Sequence, residues 1–244
     1  MGSLKLILLR HAQSIGNAQG RMEGQHSSPL SVQGQQQANE LAIVLKHHWS
    51  PTHLYCSPLQ RAQETLHHLL TSCNYSSFPA LALSDSPLTP LLPCSPSPHP
   101  PIPLTLCNTL QEAHGGIFQN LTWAEACDRY PEICHRLEHS PDWQPVPQAE
   151  TPAAVRQRSR QFLHRILQTH RNGDRLWIVT HSWLLQHLIS EILGSDRTWG
   201  IAIAPTAWFE FSLDRDRWGQ SGPNQYNGEL WKIHRFNDTS HRHT

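Results

Sequence analysis

A long apolar run, a net charge and paired cysteines are all missing from this chain. The early apolar stretch from Leu4 to Leu9 is far too short for a bilayer, which takes about 20 residues. It also lacks the basic flank and small-residue cleavage site of a secretory signal. These absences set the expectation of a cytoplasmic protein with no membrane partner. The formal net charge is zero, from 19 basic and 19 acidic residues. No global field attracts nucleic acid, so none is expected as a partner. Any anion pocket must come from a local cluster of positive groups. Cys56, Cys73, Cys94, Cys107, Cys127 and Cys134 form no C-x-x-C pair. Scattered reduced thiols fit that spacing better than disulfides or a zinc site. Histidine, by contrast, is abundant, at 18 of 244 residues. His47, His48, His67 and His68 fall on expected helix faces, and His241 and His243 near the end of the sequence. Such clusters can pick up nickel or zinc weakly. No pair has a matching Asp, Glu or Cys at ligand spacing, so no dedicated metal site is expected.

A chain of 244 residues suffices for a single domain with a sizeable core. Lys5 to Leu9 has no helical period and suits a buried strand. Residues 10–20 read as loop, punctuated by Gly16, Asn17 and Gly20. Ser31 is a good N-cap for a helix whose Ala38, Leu41, Ala42 and Leu45 recur at helical spacing. Thr52 to Cys56 reads as a strand. Ser57 is the expected cap of the next helix, with Pro58 in its first position. From Phe78 to Pro103, repeated prolines exclude helix and central strand, which predicts a long loop or polyproline-like insertion. Thr105 to Leu110 reads as a strand. Thr122 and Glu125 match a capping box for a short helix ending before Pro131. A longer helix starts at Thr151-Pro152, shows Val155, Ser159, Phe162 and Ile166 on one face, and ends at Asn172-Gly173. Arg175 to Thr180 is a strand, and Ser182 to Leu193 a helix closed by Gly194. Ala207 to Leu213 and Leu230 to Phe236 are strands. Strands alternating with helices predict an α/β fold, a three-layer sandwich with a mostly parallel central sheet.

In such sheets, ligands bind beyond the carboxyl ends of the strands. Arg10 and His11 follow the first strand and His181 follows the strand Arg175 to Thr180, while Arg61 opens the helix after Cys56. Each arginine can present paired donors to phosphate oxygens. Singly, each is read more simply as a surface charge, and each histidine as a structural hydrogen bonder. Their combination at several strand ends is what points to a phosphate site.

These residues also resemble a known family. Leu9-Arg10-His11-Ala12-Gln13-Ser14-Ile15-Gly16-Asn17 is similar to the R-H-G signature of the histidine phosphatase, or phosphoglycerate mutase-like, superfamily. Further motifs resemble that family in its order: Ser28-Pro29-Leu30-Ser31 with Gly34 and Gln37-Ala38, then Ser57 to Ala62 with Glu64-Thr65. Leu110-Gln111-Glu112 with Gly116, Val179 to Ser182, and Phe236-Asn237-Asp238 with His241 continue the series. The resemblance implies that His11 is a nucleophile forming a phosphohistidine, with its other nitrogen held by a backbone carbonyl. It implies that Arg10, Arg61 and His181 surround the transferring group. Glu112 becomes the proton donor to the leaving oxygen and then the base for water. Asn17, Glu23, Gly24 and Ser182 fall where the family meets substrate. These cationic groups replace a metal, so no cofactor is expected.

Some positions depart from the family pattern. Ala12 and Ser182 stand where glycine is usual, and the proline-rich insertion separates Arg61 from Glu112, leaving Glu125 and Glu132 as fallback acids. The activity implied is phosphomonoester hydrolysis on a small molecule or phosphoprotein. One alternative is a phosphoglycerate mutase, but the family's E-R-x-Y-G is here Glu112-Ala113-His114-Gly115-Gly116. The other is a phosphate-binding scaffold without turnover, whose usual sign, loss of a site residue, is missing. No segment shows an interaction stripe that assigns an oligomeric state.

Overall fold

The structure, a computed structural model, describes residues 2–75, 81–82 and 100–243. The chain runs β1 (Leu4–Arg10), α1 (Ile15–Ala18), β2 (Arg21–Met22), α2 (Val32–Lys46), β3 (His53–Cys56) and α3 (Gln60–Ser72). Next come β4 (Leu81–Ala82), β5 (Leu104–Leu106), β6 (Leu121–Thr122), α4 (Trp123–Arg129) and α5 (Pro131–His139). The last elements are α6 (Pro152–Thr169), β7 (Arg175–Thr180), α7 (Ser182–Ile192), β8 (Trp208–Leu213) and β9 (Trp231–Asp238).

Seven strands form one sheet in the order β4-β5-β3-β7-β1-β8-β9. Neighbours from β4 to β1 pair in parallel, whereas β8 and β9 add an antiparallel edge. Alternation along β1 builds two cores at once. Leu4, Leu6 and Leu8 pack with Phe162, Ile166, Leu185 and Leu188 from α6 and α7. Ile7 and Leu9 point the other way, onto Leu41, Leu45, Leu66 and Leu69 from α2 and α3. Each fully buried leucine or isoleucine contributes about 1.5–3 kcal/mol, so a strand buried on both faces holds the three layers together. A satellite cluster, with Phe118, Leu121, Ala126 and Cys134, lies under α4 and α5. Its small sheet pairs β2 with β6.

Several local expectations change. The stretch expected as loop contains the single turn α1, because Ser14 and Asn17 form a reciprocal capping box. The helix α3 starts after Leu59, not Ser57, and has no side-chain cap. Pro58 therefore lies outside it, and the Ser57 hydroxyl is bonded to His181. The strand after Pro103 stops at Leu106, and Asn108–Leu110 is a 3-10 turn. An unforeseen helix, α5, starts on Pro131, where a missing N–H costs nothing. The helix α6 ends at Thr169 with His170 as its cap, ahead of Asn172-Gly173. Most of the proline-rich segment lies outside the described residues, as does Cys94. Leu81–Ala82 within it pair with β5 as a short edge strand. His241 is buried, 2.9 Å from Thr206 Oγ1, and does not belong to a loose histidine cluster. The described cysteines are all free thiols. Among the described residues no helix is long and apolar enough to cross a membrane.

Gly34 locks α2 against the loop that follows β1. A Cβ there would lie 2.0 Å from the backbone oxygen of Gln13. Backbone cannot yield as a flexible side chain can, so Gly34→Ala is expected to lower stability by about 1–3 kcal/mol. Urea denaturation followed by circular dichroism checks this.

Candidate active site

The carboxyl ends of the parallel strands converge on His11. β1 leads directly into it, β7 into His181, and β3 through Ser57 to Arg61. Glu112 follows β5 by way of the 3-10 turn. His11 is 2% exposed. Its Nδ1 lies 2.7 Å from the Ala12 carbonyl oxygen. A carbonyl only accepts, so Nδ1 carries the ring proton and Nε2 presents its lone pair. Arg61 Nε–H donates to that lone pair at 3.2 Å. Burial, then the charges of Arg61 and Arg10, hold the His11 ring well below the ordinary histidine value of 6.5. The ring is therefore neutral at physiological pH.

Arg61 is 1% exposed and fixed at every nitrogen. Nη1 donates to the His26 carbonyl at 2.6 Å and Nη2 to the Gly24 carbonyl at 2.7 Å. Glu23 Oε2 lies 3.8 Å from Nε. Burial pulls the guanidinium's affinity for its proton down, while Glu23 and Glu112 raise it; an arginine in that balance stays charged. Glu23 is itself buried and accepts from Ser14 Oγ at 2.5 Å, Asn17 Nδ2 at 2.9 Å and Ser28 Oγ. A Cβ on Gly16 would meet Glu23 Oε1 at 2.4 Å, so only glycine leaves room for this carboxylate. Gly24 adopts φ +53°, and a Cβ there would approach the Gly115 nitrogen at 2.9 Å. Asn17, Glu23 and Gly24 thus gather around Arg61.

Among the described residues, two groups beside His11 have polar atoms without a partner. Arg10 Nη1 donates to the Ile203 carbonyl at 2.6 Å, while its Nε is buried without a partner. His181 is fully buried with its ring centroid 4.9 Å from that of His11. Its Nε2 lies 2.7 Å from Ser57 Oγ, and Nδ1 has no partner. Burial first, then Arg61, His11 and Arg10, holds His181 well below 6.5 as well. Buried polar atoms are ordinarily paired, and orphans next to two cations suit an anionic ligand.

Glu112 occupies the amino end of α7. Its Oε1 accepts from the Ala113 and Leu184 N–H groups at 3.0 and 3.1 Å, and Oε2 accepts from Trp183 N–H at 3.1 Å. These three bonds fix the side chain at the start of the helix. Ser182 is the first residue of that helix and is partly exposed. Glu125 is placed differently: it closes the capping box on Thr122 and pairs with Arg21 at 2.9 Å. The Thr122 N–H, then Arg21, keeps it below the usual carboxylate range. Glu132 is exposed near the start of α5. Of these acids, Glu112 is the one whose charge acts on both Arg10 and Arg61.

Sequence reasoning missed the supports. Ser57, taken as a helix cap, orients His181. Ser14 and Ser28 hold Glu23. Arg158 Nη1 donates to the Thr109 and Gln111 carbonyls at 2.9 and 2.6 Å, and pairs through Nε with Glu150 Oε1 at 2.7 Å, fixing the loop that carries Glu112. The Ser57–His181 and Arg158–Thr109/Gln111 contacts have no local signal, because their partners lie 47 to 124 positions away.

Comparison with known proteins gives a consistent picture. A metal-independent phosphoserine phosphatase of Arabidopsis thaliana is 28% identical over 189 residues, 77% of this chain and 68% of that protein. Phosphoglycerate mutase-like protein 4 of the same plant is 24% identical over 238 residues, 97% of this chain and 86% of that protein. The solved structure of Bacillus stearothermophilus YhfR superposes with a TM-score of 0.72 at 22% identity, covering 98% of this chain and 99% of that one. That last likeness confirms the α/β fold with its mostly parallel sheet. The family model for the histidine phosphatase superfamily (branch 1) matches residues 6–82 and 97–225, on both sides of the proline-rich segment. A match across most of the chain places this protein in the histidine phosphatase superfamily.

Proposed function

We propose that this protein hydrolyses phosphate monoesters by way of a phosphohistidine on His11. The observation that carries the reading is the state of that ring, with its proton on Nδ1 and the Nε2 lone pair held 3.2 Å from Arg61. Nε2 attacks phosphorus, the ester P–O bond breaks, and Glu112 gives its proton to the departing oxygen. Water then attacks phosphorus and passes a proton to Glu112 while the P–N bond breaks, which frees phosphate and restores the Nε2 lone pair of the ring. Arg10, Arg61 and His181 stabilise the charge spread over the equatorial oxygens. Asn17, Glu23 and Gly24 act through Arg61 as positioning residues, and Ser182 sits where a substrate would pass. The relative named a metal-independent phosphoserine phosphatase supports a small phosphomonoester as substrate and chemistry that needs no metal. Residues 78–103 fit an insertion within a single domain, and the family match skips residues 83–96.

Release of phosphate from an aryl phosphate tests the activity. Vanadate is expected to inhibit it and a chelator to leave the rate unchanged. A chelator-sensitive rate restored by magnesium or zinc contradicts the charge assignment. Phosphoglycerate, with and without a bisphosphoglycerate primer, tests for mutase activity instead.

The pH profile follows from the buried rings. Folded His11 has a depressed pKa, so the free enzyme keeps its nucleophile neutral as pH falls through 6.5. The acid limb of kcat/KM assigned to His11 is expected below 6.5, because kcat/KM reports the free enzyme. An initial-rate series from pH 8 to 4 checks it. A half-drop at or above 6.5, on a substrate whose phosphate does not titrate there, would contradict the ring state described above.

A further inference from the structure

The sheet carries a second polar cluster at the end opposite His11. His53 opens β3, His170 caps α6, and Asp174 directly precedes β7. β3 and β7 are parallel, and their other ends lead to Ser57 and His181. At about 3.3 Å per residue, β7 separates Asp174 from His181 by roughly 20 Å.

We propose that His53, His170 and Asp174 form a binding site for one divalent transition-metal cation of the zinc type. One ligand atom from each residue lies within 4.8 Å of the others. His53 Nδ1 is 3.0 Å from Thr52 Oγ1, and among the described residues its other nitrogen has no hydrogen bond. His170 Nε2 is 2.7 Å from Tyr55 Oη, and Nδ1 is 3.0 Å from Asp174 Oδ2. The two rings lie edge to face, 4.4 Å between centroids. Each imidazole thus has one nitrogen anchored on a hydroxyl, the outer support that metal-bound histidines use. A tetrahedral zinc at about 2.0–2.1 Å wants its ligand atoms roughly 3.4 Å apart. The His170–Asp174 pair is already near that spacing, and half-buried His53 closes the remaining gap by side-chain rotation. Two coordination positions are left for water.

Proton bookkeeping closes without net release. In the cation-free site His170 Nδ1–H donates to Asp174 and Nε2 accepts from the Tyr55 hydroxyl. On binding, the ring proton moves to Nε2, which donates to Tyr55 Oη, and Nδ1 turns its lone pair to the cation. The His170–Asp174 bond has a simpler use as a clasp for the end of α6, since Asp174 Oδ2 also accepts the Arg171 N–H at 3.2 Å. That clasp has no use for His53, a second ring with an unengaged nitrogen, whereas a cation does. Arg171 and Arg175 flank Asp174 and weaken the site without filling it.

The test uses the full chain, stripped with a chelator and titrated with zinc chloride by calorimetry and thermal melting. Zinc near 100 Kd is expected to raise Tm by about 5–10 °C. His53→Ala and Asp174→Asn should each lose one bound equivalent and that rise. His139→Ala should keep both; it removes one ring of the stacked His135–His139 pair, another place zinc can bind. If Asp174→Asn fails to fold, His53→Ala decides, because His53 takes no part in the α6 clasp. Equal stoichiometry and equal melting shift in the parent and His53→Ala overturn the proposal. The readouts do not depend on the chemistry of His11.

Discussion

His11→Ala is expected to lower turnover by roughly 10⁴-fold or more, since on the proposed mechanism it removes the atom that accepts phosphorus. The loss should appear in kcat, with Arg10 and Arg61 still in place. Rapid acid-labile, base-stable labelling from a phosphorylated substrate is expected in the parent and not in the variant. The fold should survive. His11 makes one side-chain bond to its neighbour's carbonyl and one from Arg61, and the strand before it is buried through Leu4, Leu6, Ile7, Leu8 and Leu9. Arg61 keeps its His26 and Gly24 carbonyls. Substantial turnover in the variant, at unchanged melting temperature, would rule out His11 as nucleophile.

Glu112→Gln should show an effect that depends on the leaving group. An alkoxide needs a proton as it departs and a nitrophenolate does not. General acid help is worth about 10²–10⁴-fold, or roughly 3 to 5 kcal/mol of barrier. Alkyl phosphates should lose that much and activated aryl phosphates distinctly less. Hydrolysis of the phosphohistidine should also slow, since the same group prepares the water. The structure adds a control. Glu112 accepts three backbone N–H groups, and an amide nitrogen accepts none. Glutamine can place its oxygen where Ala113 and Leu184 donate, which leaves Trp183 N–H facing a donor. Melting temperatures must therefore accompany the rates. An equal loss on both substrate types, with no build-up of phosphoenzyme, would make Glu112 a structural residue. Glu125 is then no substitute, because Thr122 and Arg21 already occupy it.

Local pattern was enough wherever one element's own residues decide its fate. The buried strands β1 and β7, and the helices behind Ser31 and Thr151, have their periodicity and caps written within a dozen residues. Arg10, His11 and His181 could be placed at strand ends for the same reason, since strand and following residue are contiguous. The boundary of α3 could not, because the serine that looked like its cap is claimed by a histidine 124 positions away. The α5 helix was passed over because a proline reads as a stop until the preceding helix is seen to end at Arg129.

By itself, then, the sequence determined the layers, the order of motifs and the identity of the charged and ring groups gathered at the strand ends. These depend on contiguous hydrophobic period, and on residue types whose chemistry does not change with context. Only the tertiary structure decided what each group is ready to do. The lone pair on His11 Nε2 exists because the Ala12 carbonyl holds the ring proton on Nδ1, and Arg61 Nε–H meets it from the other side. Glu23 is the buried partner of Arg61, because Ser14, Asn17 and Ser28 close around it. Likewise, His53 and His170 look like scattered histidines until two parallel strands and the end of a helix set them 4.4 Å apart. Proton position and pairing depend on distances of a few ångströms between residues far apart in the chain, and no local pattern records those.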